Sequence, residues 1–173
     1  MFIELIATFV AGVAGAGLVF LLNHLLKGRL PRWLAPVAAG VAMLLATISS
    51  EYGWYSRTKA SLPEGLVVAQ TIESQAIYRP WTYVKPFVER FVAIDQATIQ
   101  HHSAQPDLRI AQAYFFGRWA PLNKLPIATD CASGQRAALS DAITFENDGT
   151  IKGVDWVKAP ANDPIIEAVC GAG

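Results

Sequence analysis

Charge is scarce in this chain. Only 16% of its 173 residues are Asp, Glu, Lys or Arg, against about 25% in an ordinary soluble domain, and the shortfall falls on the N-terminal third. Met1–Leu26 contains neither Lys nor Arg, which argues against a cleaved secretory signal, whose apolar core follows a positive segment. No GxSxG, HExxH or phosphate-cradling glycine loop occurs, so hydrolase, zinc-protease and P-loop chemistry have no motif to rest on. Basic runs are missing as well. From Ala60 onward nine Lys/Arg face twelve Asp/Glu, and nucleic acid, which requires clustered cations to displace its counterions, is excluded as a partner. No cofactor is implied.

What is present begins with two apolar runs. Phe2–Leu26 would span roughly 37 Å as a helix, and a hydrocarbon core is about 30 Å thick. Leu34–Tyr55 is also long enough. Only Glu4 and Glu51 are charged within them, both near an end, which is rare for a buried soluble hairpin. Residues 1–59 are therefore expected to form a transmembrane helical hairpin, with helices at about 2–26 and 34–55. The short loop between them holds Lys27, Arg29 and Arg32 and no acid. By the positive-inside rule, loop 27–33 is cytoplasmic and both termini lie outside, with residues 60–173 in the periplasm of a bacterial inner membrane. Arg57 and Lys59 weigh slightly the other way. "YGWY" at Tyr52–Tyr55 suits the outer interface and Trp33 the inner one.

Small residues recur four apart, at Ala11/Gly15, Gly12/Ala16, Ala35/Ala39 and Ala38/Ala42/Ala46. That spacing puts each set on one helix face, where backbones approach closely. The two helices can use these faces on each other, or on another integral membrane protein. Glu4, Asn23 and His24 lie near helix ends, where polar heads reach water, so they do not form a proton relay.

After "SLPEG" the composition becomes that of a globular domain. "GLVVAQTIES" reads as a strand, and "YRPWTYVKPFV" as an extended, irregular stretch. "RFVAIDQATIQHHS" and "LRIAQAYFFGRW" read as two longer strands joined across "AQPD". "PLNKLPIATDC" adds a turn and a strand. "AITFENDGTIKGVDWVKAP" is a hairpin around Asn147-Asp148-Gly149. "NDPIIEAVC" is a short helix with Asn162 or Asp163 as N-cap and Pro164 at its first position. The expected fold is thus membrane-anchored α+β: a two-helix hairpin, then a small, mainly antiparallel β domain over residues 60–173.

Ile127–Gly171 carries Cys131 on a strand, Asp148-Gly149 in a hairpin, Trp156 with Pro160, and Val169-Cys170 closing a helix. This stretch of about 45 residues resembles the closing half of surface-adhesin E-like modules of bacterial envelope proteins. Its setting departs from theirs, since those modules follow a cleaved signal or lipid anchor. The resemblance implies a small, disulfide-closed β module outside the cytoplasm and no catalysis. Cysteine usage points the same way, because both cysteines fall in the part placed outside, where disulfides persist. A redox-active pair and a metal site are the alternatives, and the wide spacing favours a structural bridge.

Candidate chemistry is sparse. His101-His102, with Asp95 or Asp107, could be imagined around a metal, but strand neighbours point to opposite faces. Ser133 lies in a turn composition. The aromatics are more telling. Tyr78, Arg79, Trp81 and Tyr83 precede one long strand, and Tyr114, Phe115, Phe116, Arg118 and Trp119 end the next. They form either the core and base of the sheet, or a patch suited to a protein interface or to lipid headgroups. The sequence thus points to a non-catalytic accessory or assembly subunit of a membrane complex. The rival is an anchored periplasmic protein that binds a small ligand or metal.

Overall fold

A computed structural model describes residues 2–102, 105–139, 144–145 and 151–171. The chain divides into two compact units, Met1–Arg57 and Thr58–Gly173. The first is a pair of long apolar helices, α1 (Phe2–Leu25) and α2 (Leu34–Ala60). Both are long and apolar enough to cross a membrane. Their contact is built on small residues. Gly12 is buried against Met43, and a Cβ on Gly15 would lie 2.8 Å from Ala42 Cβ and 2.9 Å from the Ala38 carbonyl oxygen. Ala35 is buried, and Ala11, Ala16, Ala38, Ala39, Ala42 and Ala46 are partly covered. The Ser50 hydroxyl adds a polar tie, donating to Glu4 Oε1 at 2.8 Å.

Asn23 shapes the turn between the helices. Its carbonyl accepts from Gly28 N–H at 2.8 Å and its side chain accepts from Leu30 N–H at 2.9 Å. Lys27 and Gly28 both take positive φ there (54° and 77°), the left-handed geometry that ends many helices. At its other end α2 runs past Tyr55 to Ala60. Nothing between Ser56 and Ala60 breaks a helix, and the stop comes only before Pro63, which disfavours helical geometry in the residue before it.

The second unit is a six-stranded antiparallel sheet in the order β1-β2-β3-β4-β5-β8. Its strands are β1 (Leu66–Ser74), β2 (Phe87–His102), β3 (Gln105–Gly117), β4 (Asn123–Asp130), β5 (Gln135–Ala138) and β8 (Val157–Lys158). β6 (Thr144–Phe145) pairs with β7 (Ile151–Lys152), with Phe145 opposite Ile151. The turn residues Asn147, Asp148 and Gly149 lie outside the described residues. Four elements differ from expectation. The stretch 78–88 contains a short helix, α3 (Trp81–Val84). Gln105–Asp107 belong to β3 and not to a turn, since His102 pairs with Gln105. β5 and β8 are too short to show a period in sequence.

Alternation sorts the sheet into two faces. One buries Val92, Ile94, Ala111, Ala113 and Ile127 beneath Ile165 and Val169 of α4 (Pro164–Cys170). The other packs Ala128, Leu139 and Ile151 with Leu108, Ile110, Val154 and Trp156.

α4 is strapped down at both ends by one lateral row of the sheet. Arg109, Thr129 and Arg136 are register partners on β3, β4 and β5. Arg109 donates to the carbonyls of Val169 (3.0 Å) and Cys170 (3.2 Å) at the C-terminus of the helix. Arg136 pairs at 3.3 Å with Asp163. Asp163 is the N-cap, and its carboxylate accepts from Ile165 and Ile166 N–H. The spacing explains the fit, since two strand spacings and a seven-residue helix both measure about 10 Å. Gln96 binds the Ala168 carbonyl at 3.1 Å, and the Cys131–Cys170 disulfide ties the last residue of the helix to the end of β4.

Candidate functional site

The strand register decides which loops meet. β1 ends with Ser74 opposite Phe87, and β3 ends with Gly117 opposite Arg90. The segments 75–86 and 118–122 therefore lie at the same end of the sheet. Segment 75–86 is tightly braced. A turn closes where Arg79 N–H donates to the Ala76 carbonyl at 2.9 Å. Thr82, fully buried, accepts from Ala76 N–H at 3.1 Å and donates to the Arg79 carbonyl at 2.7 Å. One hydroxyl thus locks the turn against α3. The apices of this braced unit are apolar: Ile77 is 87% exposed, Tyr78 76%, Tyr83 57% and Val84 90%.

Trp119 and Leu122, about half exposed, add to the same end. Cations stack behind the rings. The Arg79 guanidinium lies 5.1 Å from the Tyr78 ring centre and 5.5 Å from that of Phe87, and Arg118 lies 5.0 Å from Trp119. Such pairs hold a guanidinium in place while it keeps its charge. Beneath them Phe91 and Phe116 stack at 4.6 Å, nearly parallel, with Phe91 fully buried.

The expected aromatic set therefore splits. Tyr78, Arg79, Trp81, Tyr83, Arg118 and Trp119 gather at the end of the sheet. Tyr114, Phe115 and Phe116 stand within it. Tyr114 is covered by Lys124, its partner across the strands, at 5.0 Å. Phe115 shares the face that carries α4, where it borders a shallow cleft of about 290 Å³ with Leu125, Val157 and Ile165. Ile77, Val84 and Leu122 were missed by sequence reasoning. Their signal was aliphatic side chains inside proline-bounded segments, where polar residues are the norm.

The other candidates do not converge. His101 is exposed near the end of β2, opposite Arg109. Asp95 is buried six residues earlier and accepts from Ala97 N–H. Among the described residues no three His, Cys, Asp or Glu side chains come together to hold a metal. Asp130 does chemistry of a local kind, accepting from Ser133 Oγ at 2.6 Å and from the N–H groups of Ala132 and Ser133. The Ser133 hydroxyl, first, and then those amides hold its carboxyl below the usual carboxylate range, against the opposing effect of partial burial. Ser133 is thereby committed to the turn that leads β4 into β5.

Comparison with protein-family models, curated proteins and solved structures finds no match for the chain.

Proposed function

We infer that the chain is a non-catalytic membrane protein whose β domain is an interaction module, serving as an accessory or assembly subunit of a membrane-protein complex. One observation carries the reading: bare apolar side chains on a rigidly braced turn, flanked by arginines stacked on rings, at a single end of the sheet. An isolated soluble domain gains nothing from such exposure, and Tyr, Trp and Arg are the residues that anchor interfaces.

The setting is supported by other features. α1 and α2 have the length and composition to span a bilayer, and their outward faces are Leu, Phe and Val. Lys27, Arg29 and Arg32 argue for a cytoplasmic loop 27–33 and for a periplasmic location of both termini and residues 60–173 of an inner-membrane protein. The disulfide suits an oxidising compartment. The likeness of residues 127–171 to adhesin E-like modules favours the same side of the membrane. Much of the small-residue set is used between α1 and α2, so a partner helix would meet their larger apolar faces.

Extraction of the tagged protein in mild detergent, followed by mass spectrometry of what co-elutes, tests the reading. A stoichiometric integral membrane partner is expected. Repeated elution as a partner-free species overturns the accessory role.

A further inference from the structure

We propose that the cleft between the start of β3, the end of β4 and Trp156 binds an organic ammonium group, held by the carboxylates of Asp107 and Asp130 beside the indole of Trp156. β3 starts at Gln105 and ends at Gly117, so this cleft and the aromatic end described above lie roughly 40 Å apart along the strand. The proposal therefore stands independently of any partner held at that other end.

Strand pairing builds the cleft from separate stretches of chain. Asp130 and Gln135 are register partners on β4 and β5. Asp107 is tied across from β3, its carbonyl accepting from Cys131 N–H at 2.9 Å. Val157 pairs with Arg136, which brings Trp156 alongside β5. With Gln105 and Ile151 these residues line a cleft of about 430 Å³, within the size range of small-molecule sites. Trp156 packs against the cluster of Ala128, Leu139 and Ile151 and stays partly exposed, so its ring forms a fixed wall.

The lining is chemically one-sided. Two carboxylates and two side-chain amides border the ring, and among the described residues no Lys or Arg does. Among the same residues the side chains of Gln105, Asp107 and Gln135 bond to no other group. Asp130 is set in position by Ser133 and the amides of its own turn, which keep its carboxyl ionised. The cations on the neighbouring strands are used elsewhere. Arg109 and Arg136 hold the two ends of α4 on the other face, and Lys158, opposite Gln135, lines a separate cleft. Five of the nine bases in residues 60–173 (Arg79, Lys85, Arg90, Arg118 and Lys124) belong to the far end of the sheet.

Two carboxylates without a facing base, next to an aromatic ring, attract a cation through charge and through the ring quadrupole. A bare divalent ion needs more converging oxygen ligands than this, and among the described residues no three acidic, His or Cys side chains come together. The Trp156 and Ile151 wall instead suits an ammonium carried on an alkyl chain. Small polyamines and the lysine side chains of peptides both carry that group.

The test uses the full chain, isotope-labelled in a non-ionic maltoside micelle, and follows the indole N–H of Trp156 by NMR, assigned by its loss in Trp156→Phe. Cadaverine should shift this resonance and the Gln135 amide saturably, while pentanediol, of equal length and uncharged, should not. Asp107→Asn should weaken cadaverine about fivefold, the upper worth of an exposed ion pair. Asp107→Glu should keep most of the affinity. Glu73→Gln, the same loss of charge at the far end of the sheet, should leave it unchanged. A capped lysine tripeptide that binds more tightly than cadaverine identifies a peptide side chain as the source, and one that binds more weakly identifies a free amine. No saturable shift with either amine overturns the proposal. So does an equal response to pentanediol or to Mg2+ at matched ionic strength, or undiminished affinity in Asp107→Asn.

Discussion

Replacing Cys131 and Cys170 by serine should destabilise the β domain by about 4 kcal/mol without unseating α4. The bridge spans a sequence separation of 39, and the chain-entropy relation for a loop of that size gives about 4 kcal/mol at 25 °C, acting through the unfolded chain. The folded helix keeps its other fastenings: Gln96 on Ala168, Arg109 on Val169 and Cys170, and Arg136 on the Asp163 cap. Its apolar anchors, Ile165 and Val169, are 6% and 0% exposed, and burying two such side chains contributes roughly 3–6 kcal/mol before ordering entropy. Urea denaturation of the full protein, followed by tryptophan fluorescence, should show the midpoint falling by about 2 M at a typical slope of ~2 kcal/mol per molar. Amide exchange should still find the α4 N–H groups protected in the native state. Two results refute the reasoning. A midpoint that barely moves means the bridge does not restrict the unfolded chain. Loss of α4 protection in the variant means the disulfide, and not the polar row, holds the helix in place.

Three further outcomes are expected. Gly15→Leu should separate α1 from α2, because even a Cβ there meets Ala42 and the Ala38 backbone within 3 Å, whereas Gly17→Leu faces open space; cysteine cross-linking between the helices distinguishes the two. Thr129→Val should raise stability by about 1 kcal/mol, because the Thr129 hydroxyl is fully buried with no hydrogen-bond partner among the described residues, a state that costs about 1–3 kcal/mol; an unchanged or lower melting midpoint refutes this. Asp130 binds a proton less readily folded than unfolded, so its contribution is complete above the ordinary carboxylate pKa of about 4 and is lost as pH falls through the lower folded value. Asp130→Asn should therefore flatten the acid limb of the stability profile and leave its neutral part parallel to that of the parent.

Much of this architecture follows from local pattern alone. An uninterrupted apolar run such as Phe2–Leu25 can only be a long helix seeking an apolar surrounding. Short β-branched and aromatic runs such as "VVAQTI" and "FVAID" specify strands, and Asp163-Pro164 writes the start of α4, because a carboxylate cap and a fixed φ act within one turn. These signals are short-range, and one sequence suffices to read them. What they leave open is register. Whether Tyr78 and Trp119 share one end of the sheet depends on Ser74 pairing with Phe87 and Gly117 with Arg90, and pairing across dozens of residues leaves no local trace. Register likewise aligned Arg109, Thr129 and Arg136 under a helix of matching length. The sequence by itself determined the elements, the apolar hairpin and the pair of cysteines. Only the tertiary structure decided that the Thr82-braced tip with its exposed Ile77 and Val84 lies at the same end of the sheet as Trp119 and Leu122, because long-range strand pairing carried the two loops there.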